Sequence, residues 1–185
     1  KENTLSSRLY NLVSGQARTK KGKITFEQYI QAAGFDSIID AANIHLKPMS
    51  EKQFELFRKK GALSMQSNNF LDLEVLDINT GKRRPVGNLS GGESFKASLS
   101  LALGLSDTIA QNRGGIQMDA LFVDEGFGTL DNKSLDETKA ALLSLSGKNK
   151  LVGIISHRDE LMDIPQKLIV TKEQDGSHIR METEL

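Results

Sequence analysis

The chain has no cysteine and no tryptophan, only three prolines, and no excess of either charge, with 24 lysines and arginines against 24 aspartates and glutamates in 185 residues. Without cysteine there are no disulfides and no thiolate metal sites, which fits a reducing interior and makes the cytoplasm the expected compartment. No apolar run has the length of a membrane span, and the opening segment lacks the apolar core of a signal peptide, so no membrane partner is expected. Balanced charge removes the overall electrostatic footprint of a nucleic-acid binder, so any DNA contact has to be local. A further absence matters most: no segment has the form G-x-x-x-x-G-K-[ST], whose backbone amides would cradle a nucleotide's phosphates. In the nearest approach, Gly15 to Lys23, the first glycine falls too early and Gly22-Lys23 is followed by Ile24.

What is present has the length of one domain, enough to bury about 70% of the surface its unfolded form exposes. The first residue is Lys1 rather than methionine, which leads us to expect an excised or processed piece. Two basic clusters stand out, Arg18-Thr19-Lys20-Lys21-Gly22-Lys23 and Lys82-Arg83-Arg84. Neither interleaves aromatics for base stacking, so each reads either as solvated loop charge or as a local contact to DNA phosphates.

Leu5, Leu9, Leu12 and Val13 recur at helical spacing and mark the end of an amphipathic helix, either an ordinary surface helix or the returning strand of a coiled coil. Ser14-Gly15 stops it. A second helix is expected from Thr25 to about Leu46, with Gly34 as a break or a point of tight packing. Phe54 to Phe57 and Leu71 to Ile78 are strand candidates. The turn signal Asn79-Thr80-Gly81-Lys82 continues the second of them as a hairpin into Arg83 to Val86. Beyond Val86 the pattern alternates: a helix from Ser94 to about Gln111, a strand Ala120 to Asp124, a helix Asn132 to Leu145, a strand Leu151 to Ser156. The unbroken apolar runs predict strands covered on both faces of a parallel sheet, hence an α/β fold. Lys167 to Thr171 and Ser177 to Glu182 read as a closing hairpin turning at Gln174-Asp175-Gly176-Ser177.

Three places in this pattern have chemistry to offer. At Leu89-Ser90-Gly91-Gly92-Glu93 a loop becomes a helix, whose first amides lack internal partners and carry partial positive charge. Two glycines let a phosphate approach, with the Ser90 hydroxyl as an extra donor. In isolation the same pentapeptide is also a plain serine N-cap. Asp124-Glu125 ends a strand at the rim where α/β sheets bind ligands, which suits Asp124 to hold Mg²⁺ through water and Glu125 to deprotonate an attacking water. The alternative is an acidic cap for the next helix. Gly126 to Asp131 follows, with Asp131 or Asn132 as a helix cap. His157 takes the same rim position after the next strand, as a contact to a γ-phosphate or as an incidental residue. His45 and His178 offer no comparable partners.

Order and placement together resemble the ATP-binding-cassette superfamily. Leu89, Ser90, Gly91, Gly92 and Glu93 look like its signature motif, Leu121 to Glu125 like the Walker B strand with its catalytic glutamate, Thr129-Leu130-Asp131 like the D-loop, and His157 like the switch histidine. Thr25 to Ile30, Ala41-Ala42-Asn43 with Leu46 and Met49-Ser50, Leu71 to Asp77 with Thr80-Gly81-Lys82, and Leu89 to Gly104 narrow the resemblance to the C-terminal part of the SbcC family of double-strand-break repair ATPases. The resemblance implies a P-loop NTPase fold of ABC-ATPase type. The chain would be the C-terminal half of a split head, a parallel sheet flanked by helices, with an antiparallel β element. Residues 1–13 would be the end of a coiled coil and 14–185 the head lobe.

It implies a Walker A half elsewhere in the same protein, ATP and Mg²⁺ as cofactors, and an ATP-dependent homodimer in which Leu89 to Glu93 serve the opposite head's nucleotide. Asp124, Glu125 and His157 would serve their own. It further implies an SbcD-like metallonuclease partner, which would hold the nuclease metal, action on double-stranded DNA ends and hairpins near the nucleoid, and Arg18, Lys20, Lys21 and Lys23 as possible DNA contacts. Heads of SMC, RecN or RecF-like ATPases share the motifs, and a non-catalytic dimerisation module is the alternative of another class.

Overall fold

The computed structural model describes residues 2–15, 25–59, 71–111, 119–146, 150–164 and 166–183. Helix α1, Glu2–Val13, leaves Leu5, Leu9, Tyr10 and Val13 each more than half exposed. The helix ends before Gly15, which lies in the left-handed region at φ 72°. The basic stretch Arg18 to Lys23 lies outside the described residues.

Helix α2, Phe26–Met49, opens with a capping box: the Thr25 hydroxyl accepts from the Gln28 amide at 3.1 Å, and the Gln28 side chain accepts from the Thr25 amide at 3.1 Å. It passes straight through Gly34, against the expected break. That position is exposed and no atom would meet a Cβ there, so glycine at this site costs about 1 kcal/mol relative to alanine and has no packing reason. The helix also runs past its expected end at Leu46 and includes Pro48. Only the bond to the Ile44 carbonyl is lost, and Ile44 is exposed, so water can replace it.

Three antiparallel strands follow in the order β1, Phe54–Arg58, β2, Leu73–Asp77, and β3, Arg83–Pro85. Phe54 faces Asp77 and Val75 faces Arg84. The β2–β3 turn places Gly81 at φ 65°. The free edge of β1 is satisfied by a side chain. Buried Asn43 of α2 donates to the Leu56 carbonyl at 2.9 Å and accepts from the Leu56 amide at 2.8 Å. Arg58 forks onto Asp36 with two bonds of 2.8 Å, tying the same strand to the same helix.

Helix α3, Gly91–Gln111, begins at the first glycine rather than at Ser94. It crosses α2 at Gly104, where a Cβ would stand 2.5 Å from the Ala42 backbone nitrogen and 2.7 Å from the Ile38 carbonyl oxygen. The tight packing expected at Gly34 is found at Gly104.

Strands β4, Ala120–Asp124, and β5, Leu151–Ile155, pair in parallel from Ala120↔Leu151 to Asp124↔Ile155, with α4, Asn132–Ser146, between them in sequence. Leu121, Val123, Val152 and Ile154 pack on a core built from Leu99 and Leu103 of α3, Leu135 and Leu142 of α4, and Phe127. A Leu side chain fully buried in such a core contributes about 1.5–3 kcal/mol. The expectation that both faces are covered does not hold. Phe122, Leu151 and Ile155, which alternate with this half-buried set, are 65%, 62% and 55% exposed. The apolar run does mark a strand, but among the described residues only one face of the β4–β5 pair is covered.

The last strands, β6, Gln166–Glu173, and β7, Gly176–Thr183, form the expected hairpin around Gln174-Asp175. Leu168 opposite Met181 and Val170 opposite Ile179 make a second exposed apolar stripe. No described helix is long and apolar enough to cross a membrane.

Candidate functional site

The parallel pairing of β4 and β5 brings Asp124, Glu125 and His157 to one rim. Glu125 adopts φ 57°, an uncommon conformation for a non-glycine residue, and its amide donates to the Ile155 carbonyl at 2.9 Å. Gly126 continues the left-handed path at φ 90°. The turn swings the Glu125 side chain next to His157, whose Nδ1 lies 3.1 Å from the carboxylate. Both side chains are open to solvent, 49% for Glu125 and 81% for His157. Asp124 is exposed beside them, and among the described residues no hydrogen-bond donor or cation engages its carboxylate. A free carboxylate at a strand end is a hard oxygen ligand suited to Mg²⁺.

After Gly126 the chain makes a single 3-10 turn, Phe127–Thr129. Phe127 is fully buried and meets the Phe95 ring edge-to-face at 5.0 Å. Of the two expected caps for α4, Asp131 is the one used: it accepts from the Ser134 amide at 3.1 Å. The Ser134 hydroxyl and amide hold its carboxyl below the usual aspartate range. Arg158, which sequence reasoning passed over, reaches back across this segment. Its Nη1 donates to the carbonyls of Phe127 at 2.9 Å and Leu130 at 2.8 Å. Glu160, paired with it at 2.7 Å, is thereby held down to about 2.

Leu89 to Glu93 forms a second place. Ser90 is a true N-cap: its hydroxyl oxygen accepts from the Glu93 amide at 3.2 Å while the Glu93 carboxylate accepts from the Ser90 amide at 2.8 Å. The plain capping alternative is therefore present, and it leaves the Ser90 hydroxyl proton and the amides of Gly91 and Gly92 at the helix entrance. Arg84 locks the box through Glu93 at 2.8 Å and the Asn88 carbonyl at 2.6 Å. Burial pushes the Glu93 carboxyl up, but the Ser90 amide and Arg84 outweigh it, and the net shift is downward.

The glycines have a further reason to be glycines. A Cβ on Gly91 would stand 3.2 Å from the Thr129 side chain, and one on Gly92 would stand 3.2 Å from the Thr129 carbonyl oxygen. The segments Ser90 to Glu93 and Thr129 to Asp131 thus pack against each other and line one cleft of about 520 Å³, together with Lys96, Lys133 and Glu137. Asp124, Glu125 and His157 do not line it. The two halves of the candidate site face different places on this chain.

Lys96, also missed in the sequence, is 8% exposed and bridges α3 to α4 through Ser134 at 2.8 Å and Glu137 at 3.3 Å. Its partners are 38 and 41 residues away, beyond the reach of any local pattern. The basic cluster at Lys82 is only partly solvated: Arg83 lies 4.7 Å from the centre of the Phe57 ring and Arg84 is engaged as described. His45 and His178, which in sequence offer no partners comparable to those of His157, pair away from the rim, with Asp107 of α3 at 2.7 Å and with Asp175 at 2.9 Å.

Comparison with known proteins bears on the family and the fold. Residues 62–143 match a family described as SbcC/RAD50-like, Walker B motif. The SbcC component of nuclease SbcCD from Staphylococcus haemolyticus is 43% identical over 159 residues, 85% of this chain and 16% of that protein. Its Staphylococcus aureus counterpart is 39% identical over 173 residues, 93% of this chain and 17% of that protein. The chain thus spans about a sixth of the curated relatives it matches. Among solved structures, an SMC ATPase studied for ATP-driven dimerisation and DNA-stimulated activation has a TM-score of 0.65 at 15% identity, covering 84% of this chain and 89% of that one. The Smc head domain with an extended coiled coil from Pyrococcus furiosus, bound to the C-terminal domain of ScpA, has a TM-score of 0.60 at 15% identity, covering 85% of this chain and 37% of its own. At such identities the likeness is one of fold, and the fold is that of an α/β ATPase head.

Proposed function

Because this chain belongs to the SbcC family, we propose that it is the C-terminal half of an ATPase head, completed by a Walker A segment of the same protein and working as a head-to-tail pair with a second copy. The observation that carries this reading is the 3.1 Å contact between His157 Nδ1 and the Glu125 carboxylate at the ends of two paired parallel strands. It joins the two residues a hydrolytic site needs from positions 32 apart in sequence.

In this reading Glu125 accepts the proton of the attacking water, and the left-handed turn at 125–126 sets the direction of its carboxylate. His157 holds that carboxylate through Nδ1, and in its imidazolium form the ring would also offer Nε2–H to a γ-phosphate. Asp124 would hold Mg²⁺ through water. When bound, Mg-ATP supplies the phosphoryl group and the positive charge that neutralises it. Ser90, Gly91 and Gly92 would donate to a nucleotide seated on the opposite head, and Thr129-Leu130-Asp131, packed against them, would lie at the same junction.

The exposed apolar residues support the split. Phe122, Leu151 and Ile155 on one sheet, and Leu168, Val170, Ile179 and Met181 on the hairpin, suit contact with the remainder of a much longer protein. Residues 1–13, with Leu5, Leu9 and Val13 exposed, fit the foot of a coiled coil, leaving 14–185 as the head lobe. We further propose that the assembled protein acts with an SbcD-like metallonuclease on double-stranded DNA in the cytoplasm, near the nucleoid, with Arg18, Lys20, Lys21 and Lys23 as candidate DNA contacts.

The test is Glu125→Gln in the full-length protein. ATP hydrolysis is expected to fall by about 10²–10⁴-fold, the usual cost of a lost general base, with ATP-dependent pairing of heads retained. Hydrolysis at the wild-type rate would overturn the assignment.

A further inference from the structure

Arg158 is placed to do more than follow a histidine. Its guanidinium has five N–H donors, and the structure gives each an acceptor. The two hydrogens of Nη1 serve the Phe127 and Leu130 carbonyls at 2.9 and 2.8 Å. Nη2 serves Glu160 Oε1 at 2.7 Å and Asn132 Oδ1 at 3.5 Å, and Nε serves Glu160 Oε2 at 3.2 Å. The side chain is 16% exposed; its bonds to the two carbonyls are partly buried, and those to Glu160 and Asn132 lie at the surface.

The two carbonyls bracket the segment that carries Thr129 and Leu130. Phe127 O already accepts from the Leu130 amide at 3.1 Å, so Arg158 closes the same short turn from outside. At its other end Arg158 is joined by one peptide bond to His157, which touches Glu125. The Arg158 amide is itself tied to Ser156 Oγ at 3.2 Å, where β5 ends. Thr129 in turn packs on Gly91 and Gly92 of the signature segment. One guanidinium therefore provides a hydrogen-bonded bridge between the two faces of the candidate site.

We infer that Arg158 is a positioning residue for ATP hydrolysis, holding the turn 127–130 in register with His157 so that the site on one head and the surface offered to the other head move together. The inference rests on the proposed function above. Lysine cannot replace it: three donors on a single nitrogen cannot reach two carbonyls and a bidentate carboxylate at once.

The test uses full-length protein with Mg-ATP, comparing Arg158→Lys, Glu160→Gln and Glu125→Gln with wild type. Arg158→Lys is expected to lower kcat by about 10- to 100-fold, as misplacement of a catalytic group by roughly 1 Å does, with KM for ATP little changed. It should also speed hydrogen exchange at the Leu130 amide and flatten the cooperative dependence of rate on ATP. Glu160→Gln keeps the arginine and only loosens its anchor, so it folds and should show a smaller loss of the same kind. Wild-type kcat and cooperativity in both variants, with Glu125→Gln inactive, would overturn the role of Arg158 alone. A lowered melting temperature with kcat unchanged per folded molecule would do so as well, since it would make the clamp merely structural. If Glu125→Gln hydrolyses ATP normally, the underlying assignment fails instead.

Discussion

The Phe95 ring sits so close over Gly126 that a Cβ on the glycine would stand 2.4 Å from Cε2. Phe95 belongs to α3, the helix capped by Ser90, and Gly126 to the turn that aims Glu125, so the contact joins the two faces of the candidate site through packing. Gly126 also holds φ 90°, which disfavours any side chain.

Gly126→Ala is therefore expected to lower the stability of the folded protein by about 1–3 kcal/mol, through displacement of the ring and left-handed strain. A double-mutant cycle separates these causes. With Phe95→Leu in the background the clash is relieved, and the cost of Gly126→Ala should shrink towards the strain alone, about 1–2 kcal/mol. Denaturant midpoints measure both. Full additivity would show that the ring is not what forbids a side chain at 126.

The motif-bearing parts of this chain were legible because their physics is local. A run such as Leu121-Phe122-Val123 followed by Asp124-Glu125 is a strand that ends in carboxylates, and Ser90 with Glu93 spells a capping box. Two things were not legible. Exposure of Phe122, Leu151 and Ile155 depends on what packs over the second face of the sheet, which an apolar run does not specify. Long-range partners left no local trace either: glycine at 34 and glycine at 104 look alike in sequence, yet only Gly104 lies against another backbone. Arg158 and Lys96 find their partners across loops and helices, and no spacing announces them.

Gly104 is accordingly the position where the smallest change should do most harm to the helix pair. A methyl there would have to displace backbone, at 2.5 Å from Ala42 N and 2.7 Å from Ile38 O, rather than a flexible side chain. Gly104→Ala is expected to cost more than the usual overpacking of about 1–3 kcal/mol, despite the gain in helix propensity, whereas Gly34→Ala should stabilise by about 0.5–1 kcal/mol. Thermal unfolding of the two variants side by side tests this. Equal melting temperatures would contradict the close crossing.

The capping box at Ser90 should make part of the stability depend on acid. Burial raises the Glu93 carboxyl, the Ser90 amide and Arg84 lower it further, and the folded value ends below the ordinary 4.5. A group depressed in the folded state stabilises above its unfolded pKa, and that contribution is lost as pH falls below 4.5 through the folded value. Glu93→Gln should remove this increment, on the order of 1 kcal/mol at neutral pH, and flatten the acid limb of the stability curve. A Glu93→Gln protein with wild-type stability at pH 7 and pH 3 would mean that the box and its arginine hold nothing.

Ser90 offers the most direct probe of contact between heads. It is exposed, at the entrance of α3, and its hydroxyl oxygen is occupied by the Glu93 amide, so what it has to offer a ligand is a proton and a small profile. Arginine in its place puts a long cation over the amides of Gly91 and Gly92, where a phosphate held by another head would have to enter. In full-length protein carrying Glu125→Gln, which should let ATP-bound pairs accumulate, adding Ser90→Arg is expected to abolish ATP-dependent dimerisation by light scattering. Nucleotide binding to each head's own Walker A segment should persist, because Ser90 would take no part in it. Undiminished dimers in the double variant would show that the signature face does not meet the opposite head's nucleotide, and the head-to-tail arrangement would have to be abandoned.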